Sequence, residues 1–150
     1  MTEIGFYHLT KTPLERALPK LLEKALAGGM RAVVIAGSEE RVEALDAALW
    51  TYEQLSFLPH GSARDGEPEE QPVWLTTQDE NPNGSSLLVL TDGAQSSQLG
   101  TFARCLDMFD GRDPDAVAAA RTRWRAFKEA GHTLAYWQQN EAGGWVKKEA

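Results

Sequence analysis

Cysteine is the residue that this chain has least of. Its 150 residues include one cysteine, Cys105, so neither an internal disulfide nor a cluster of thiolate metal ligands can form. Such a chain is expected in a reducing compartment, which indicates the cytoplasm. Cys105 lies in an apolar stretch with no neighbour that would activate a thiol, so we expect an inert core side chain.

Long apolar runs and positive charge are also scarce. No segment approaches the ~18 consecutive apolar residues that span a bilayer, and the start, MTEIGFYHLTKTP, lacks the regions of a signal peptide. The 15 Lys and Arg residues are outnumbered by 22 Asp and Glu, which gives a net charge of −7. We therefore expect no membrane partner, and contact with nucleic acid only locally or through another protein.

Signatures of common enzymes are missing as well. The sequence contains no GxxxxGK[ST], GxGxxG or GxSxG. Glu39 and Glu40 stand in the turn where a phosphate would bind, and they would repel it. The three histidines have no partner at metal-ligand spacing. We expect no catalytic residue, no cofactor and no metal.

One enzyme hypothesis stays open beside this expectation. Several aspartates lie near predicted strand ends, where a small nucleotide- or metal-dependent α/β enzyme would place them. Helix caps and turns are the alternative explanation for the same residues. They are Asp92, Asp107, Asp110, Asp113 and Asp115.

Short apolar runs alternate with amphipathic stretches along the chain, and its hydrophobic content of 42% fits a globular protein. The predicted strands are Ile4–Leu9, Arg31–Ala36, Val73–Thr76, Leu87–Leu90, Arg104–Phe109 and Leu134–Gln138, with a further short strand at Gly144–Val146. This alternation predicts one α/β domain over residues 1–150. Its sheet is open and mostly parallel, with helices on both faces.

The predicted helices between the first strands have clear start signals. Thr12 is the expected cap of the first helix, with Pro13 at its first position, and Pro19 inside it is expected to kink the helix or delay its start. Ser38 is the expected cap of the second helix, Glu39–Trp50.

Two polar segments are rich in turn-forming residues. His60–Pro72, which reads HGSARDGEPEEQP, is the best candidate for a mobile loop, and Asp79–Ser86 is a second loop. The short apolar piece Leu55–Pro59 precedes the first of them.

The segment Phe109–Trp137 predicts the last helix and the strand after it. Asp113 is a cap, Pro114 suits the first helical position, and Gly131 ends the helix. One helical stripe consists of Val117, Ala120, Trp124 and Phe127, and a second stripe beside it consists of Arg121, Arg125 and Lys128. Cations next to aromatic rings can bind a ligand that is both anionic and apolar, such as the end of an acidic peptide. The alternative is an aromatic core stripe flanked by a solvated face.

A second aromatic concentration lies in Leu49–His60, LWTYEQLSFLPH, which contains Trp50, Tyr52, Phe57 and Leu58. These side chains form either a second core layer or an exposed anchor for a partner protein.

Four segments carry a resemblance to a known family. FYHL, LDAALWTYEQLSFLPHG, QPVWLT and MFDGRDPDAVAAARTRWRAFKEAGHTLAYWQQ, in this order, resemble the chi subunit of bacterial DNA polymerase III holoenzyme. The resemblance implies a nucleotide-binding-like α/β fold without the phosphate loop, in a non-catalytic subunit of the clamp-loader assembly. It further implies binding of the acidic, phenylalanine-terminated tail of single-stranded DNA-binding protein. Another face would bind the psi subunit or a helicase related to repair.

The resemblance also assigns residues to these two surfaces. The family's tail pocket has an arginine and an aromatic residue that fall on Arg121 and Trp124, with Arg125 and Lys128 as neighbours; its partner-binding tryptophan and phenylalanine fall on Trp50 and Phe57. One departure is Asp110, which stands where the family's pocket can offer an apolar residue. A third hypothesis is direct single-strand binding through Trp124, Trp137 and the arginines, of which we expect little.

Overall fold

The computed structural model of the chain describes residues 2–52, 58–142 and 144–148. Within these ranges the strands are β1 (Glu3–Leu9), β2 (Ala32–Ile35), β3 (Gly61–Ser62), β4 (Val73–Thr76), β5 (Leu87–Leu90), β6 (Arg104–Asp110), β7 (Thr133–Gln139) and β8 (Trp145–Lys148). The helices are α1 (Leu14–Ala27), α2 (Glu39–Thr51) and α3 (Pro114–Glu129), with short 3-10 helices at Pro68–Glu70 and Leu99–Thr101. No helix among the described residues has the length and apolarity needed to cross a membrane.

The strands form one open eight-stranded sheet in the order β3-β4-β2-β5-β6-β1-β7-β8. Every pairing is parallel except the last, in which β8 runs antiparallel to β7. β1 lies between β6 and β7, so the start of the chain is paired with two late strands. The predicted α/β architecture with an open, mostly parallel sheet is confirmed.

Helices cover both faces of this sheet, and they divide the core in two. On one face the apolar side chains of α1 and α2 pack over the sheet together with Val34, Leu75 and Met108. On the other face α3 packs over Ile4 and Phe6. Each buried strand is therefore apolar on both sides, which explains continuous runs such as AVVI in β2.

The start of α1 differs from the prediction. Its N-cap is Pro13 and no side chain caps it, so the predictions of a Thr12 cap and of Pro13 at the first helical position are wrong. The Thr12 hydroxyl instead accepts from Gln139 Nε2 at 2.7 Å. Gln139, at the end of β7, also accepts through Oε1 from the N–H groups of Thr10, Lys11 and Thr12 at 3.0, 2.9 and 3.1 Å. The helix starts at Leu14 and continues through the buried Pro19 without interruption.

The segment predicted as a mobile loop, His60–Pro72, is more regular than expected. It contains the edge strand β3 and a 3-10 helix, and the Ser62 N–H donates to Asp65 Oδ2 at 2.9 Å. His60 itself is buried. The start of the preceding apolar piece, residues 55–57, lies outside the described residues.

Candidate functional site

An open cavity of about 670 Å³ lies on the α3 face of the sheet, between that helix and the edge formed by β7 and β8. Its lining residues come from five elements: Phe6, Phe109, Val117, Ala120, Arg121, Trp124, Arg125, Tyr136, Gln138 and Lys148. Three of the four predicted tail-binding residues, Arg121, Trp124 and Arg125, are thus brought together. The fourth, Lys128, is exposed on the helix and does not line the cavity.

The ends of α3 place these side chains. The Asp113 side chain caps the helix by accepting from the Asp115 N–H at 3.0 Å, and Pro114 occupies the first turn. Gly131 follows the last turn with φ +87°, a conformation that glycine adopts without strain. All three predicted signals are confirmed.

Trp124 belongs both to the core and to the cavity. Its ring packs edge-to-face against Phe6 at a centroid distance of 5.2 Å and against Tyr136 at 6.1 Å. The side chain is only half-buried, and it lines the cavity. The predicted stripe of Val117, Ala120, Trp124 and Phe127 packs on this core. The two interpretations of the stripe are therefore compatible at Trp124, which is fixed by packing and still open on one side.

The charges around the cavity have one sign. Arg121, Arg125 and Lys148 are all exposed, and the lining contains no Asp or Glu. In the part of the chain that the structure describes, none of the three forms an ion pair within 4.0 Å. An aromatic and aliphatic floor below unpaired cations suits a ligand with a carboxylate and an apolar side chain.

A polar pair lies under one wall of the cavity. His8 Nδ1 and the Tyr136 hydroxyl are hydrogen-bonded. Burial lowers the pKa of His8, and the Arg121 charge lowers it further. Burial also raises the pKa of Tyr136 against the opposing effect of Arg121. The positive charge of Arg121 therefore acts to lower the pKa of both groups in this wall.

Asp110, the departure from the family pattern, does not line this cavity. Its Oδ1 accepts from the Arg112 N–H at 2.9 Å and from Arg112 Nε at 3.3 Å. It lines a different cavity, of about 610 Å³, at the carboxyl ends of β1 and β6. The negative charge of Asp110 is thus paired with Arg112, outside the set of cavity-lining side chains.

A buried ion pair beneath α3 was not predicted. Arg123 donates from Nε and Nη2 to the two Asp107 oxygens at 2.7 and 2.9 Å, and both residues are buried. Burial raises the pKa of Asp107, although the Arg123 guanidinium opposes that shift. A carboxylate in the middle of an otherwise apolar strand was the signal that could have indicated a buried cation partner.

The aspartates of the enzyme hypothesis are largely engaged in structural contacts. Asp92 Oδ2 accepts from the Gly37 N–H at 3.1 Å and from Arg41 Nε at 3.2 Å. Asp107, Asp110 and Asp113 have the partners given above. Among the described residues no group of three His, Cys, Asp or Glu side chains is arranged to hold a metal ion. This arrangement gives the enzyme hypothesis no support.

The second predicted surface is described only in part. Trp50 on α2 is 53% exposed, and its ring centroid lies 4.6 Å from that of His60. Tyr52 packs against the core and Leu58 is buried, so the aromatic concentration is divided between core and surface. Phe57, the other predicted partner-binding residue, lies outside the described residues.

Trp137 and Cys105 also had predicted roles, one as a stacking surface for a single strand and the other as a core side chain. Trp137 packs with Tyr7 on the α1 side of the sheet, with ring centroids 6.1 Å apart, whereas Trp124 lies on the α3 side. They cannot form one stacking surface for a single strand. Cys105 is fully buried in β6, which confirms its predicted core position, and burial raises the pKa of its thiol.

Comparison with known proteins gives consistent matches. The chain matches the family model described as DNA polymerase III chi subunit, HolC, over residues 1–135. A probable DNA polymerase III subunit chi of Rickettsia prowazekii is 32% identical over 107 residues, 69% of this chain and 65% of that protein, so the match spans just under two thirds of that relative. The DNA polymerase III subunit chi of Pseudomonas aeruginosa is 28% identical over 137 residues, 89% of this chain and 94% of that protein.

Proposed function

This chain belongs to the DNA polymerase III chi subunit family, and we propose that it is a non-catalytic accessory subunit that links the clamp-loader assembly to single-stranded DNA-binding protein. The link is the acidic, phenylalanine-terminated tail of that protein. The single observation that carries the proposal is the α3-side cavity, in which Trp124 is flanked by cations and no lining residue is acidic.

The mechanism follows from the chemistry of the cavity. The Arg121 guanidinium can take the terminal carboxylate with two hydrogen bonds, while the terminal ring packs against Trp124 and Tyr136. Arg125 adds a second positive charge beside the first. A contact this small is expected to have a dissociation constant in the micromolar range and to weaken with salt, because the charges are exposed. Many tails on one coated DNA strand raise the occupancy by multivalency.

Calorimetric titration with a synthetic acidic peptide ending in phenylalanine tests this mechanism. Arg121→Ala is expected to weaken binding by about 1.5 kcal/mol or more, roughly tenfold, the scale of a hydrogen bond to a charged group. Arg16→Ala, an exposed arginine on the opposite face of the sheet, is the matched control and is expected to leave the affinity unchanged. Equal affinities of the Arg121 and Arg16 variants would refute the assignment.

We also propose that Trp50 and Phe57 belong to a separate surface for a psi-like clamp-loader subunit or a repair helicase. Trp50 is a large exposed indole on α2, whereas the cavity lies against α3. Trp50→Ala should therefore abolish co-purification with the psi-like subunit while peptide binding stays intact. Simultaneous loss of both interactions would contradict two independent surfaces.

DNA contact in this proposal is mainly indirect. The net charge of −7 opposes binding of a bare strand. A gel shift with an uncoated oligonucleotide should show no complex at concentrations where a strand coated with the binding protein is shifted. A strong shift of the bare strand would argue for direct binding instead.

A further inference from the structure

The third cation of the α3-side cavity comes from a part of the chain that the family match does not cover. The match to the family model ends at residue 135, and Lys148 on β8 lies well beyond it, yet it lines the cavity together with Tyr136 and Gln138 of β7. One wall of the site is therefore built by the end of β7 and by β8. This wall can alter which ligands the chain prefers.

The strand register explains why Lys148 reaches the cavity. β8 pairs antiparallel with β7, and Lys148 lies opposite Tyr136. Successive side chains of a strand alternate between the two faces of the sheet. Lys148 therefore shares the α3 side with Tyr136, whereas Lys147 lies opposite Trp137, whose ring packs on the α1 side.

Lys148 and the two arginines flank the aromatic floor from different elements. Arg121 and Arg125 are one turn apart on α3, and Lys148 stands on the edge strand across Tyr136. A ligand with one carboxylate can satisfy the helix arginines and leave the lysine without a partner. The volume of about 670 Å³ lies in the middle of the range for sites that hold drug-sized ligands, so more than one terminal residue can enter.

We propose that Lys148 is a specificity-determining residue that pairs with an acidic side chain upstream of the bound chain's terminal carboxylate. The inference rests on the proposed peptide-binding function of the cavity. In this arrangement Arg121 and Arg125 bind the terminal carboxylate, and Lys148 on β8 pairs with the second negative charge. Because Lys148 is exposed, its contribution is small and salt-dependent.

Fluorescence anisotropy with two labelled peptides of the same length tests the proposal. Both end in phenylalanine with a free carboxylate; one carries three aspartates upstream and the other three asparagines. At low salt, Lys148→Gln is expected to weaken the aspartate peptide about two- to fivefold and to leave the asparagine peptide unchanged. The unchanged asparagine peptide also shows that the variant's cavity is intact. The matched control is Lys147→Gln, the adjacent lysine on the other face, which should leave both affinities unchanged.

Arg121→Ala separates this inference from the function on which it rests. It should weaken both peptides, because both carry the terminal carboxylate. If Arg121→Ala does so but Lys148→Gln changes neither affinity, or changes both equally, or matches Lys147→Gln, the role of Lys148 is refuted and the peptide site stands. If the unaltered protein binds neither peptide, the proposed function fails and the role of Lys148 fails with it.

Discussion

The buried pair between Arg123 and Asp107 allows a sharp test of how α3 is held on the sheet. Two hydrogen bonds of 2.7 and 2.9 Å join the side chains, whose exposed fractions are 8% and 2%. Arg123→Met leaves a buried carboxylate without its cation, and Asp107→Asn leaves a buried guanidinium without its anion. Removing one member of such a pair costs about 3–5 kcal/mol.

Replacing both members has a different expected effect. The double variant Asp107→Leu with Arg123→Met leaves no charge unpaired, and exchanges of this kind are often neutral or stabilising. We therefore expect the double variant to lie within about 1 kcal/mol of the original protein. The stability losses of the two single variants should not add in the double variant, because both groups belong to one interaction.

Urea unfolding followed by circular dichroism measures these free energies. A loss of about 3–5 kcal/mol corresponds to a midpoint lower by roughly 1–5 M, for slopes of about 1–3 kcal/mol per M. In Arg123→Met the pKa of Asp107 should rise further above its unfolded value, since burial already raises it and the opposing charge is gone. The destabilisation should then shrink as pH falls toward 4, because the folded state keeps the proton more readily. Single variants that lose under 1 kcal/mol, or a double variant that loses the sum, would refute this reasoning.

Three other perturbations test neighbouring features. Gly111→Ala should lower the unfolding free energy by about 1–3 kcal/mol or more, because a Cβ there would lie 2.0 Å from His8 Cδ2 and 2.7 Å from the Leu9 carbonyl oxygen; an unchanged urea midpoint would contradict this. The lowered pKa of His8 means that the unfolded state takes the proton first, so stability should fall as pH drops below about 6.5. The His8→Gln variant should lose less stability over the same pH range than the original protein. Equal losses in the two proteins would contradict this prediction. Ser38 Oγ accepts from the Arg41 N–H at 3.2 Å as the cap of α2, so Ser38→Ala should cost about 1 kcal/mol in thermal unfolding, and no loss would argue against the cap.

The parts of the fold that sequence reasoning predicted correctly are those with local signals. The Asp113-Pro114 start of α3, the Ser38 cap of α2 and the β-branched run of β2 are each written within a few residues. The helical stripe containing Trp124 followed from spacing alone. Spacing could not show how far Trp124 is exposed. Its exposure depends on packing against Phe6 and Tyr136, which belong to other elements of the fold.

The features that sequence reasoning missed depend on contacts between different elements of the fold. Gln139, more than a hundred residues away in the chain, binds the Thr12 hydroxyl and the backbone that precedes α1. Arg123 fell in neither predicted stripe, yet its burial depends on Asp107 in the neighbouring strand. Lys148 joins the cavity only because β8 turns back along β7. Each of these contacts is made by tertiary packing, which no local pattern contains.

The proposed function requires that an acidic chain end binds beside Trp124. The protein has five tryptophans, so a nitrogen–proton NMR spectrum with assigned indole signals reports on five separate places. Titration with the phenylalanine-ended acidic peptide should shift the Trp124 signal in a saturable way and leave the signals of Trp50 and Trp137 in place. A saturable shift at Trp50 or Trp137, with the Trp124 signal unmoved, would contradict binding beside Trp124.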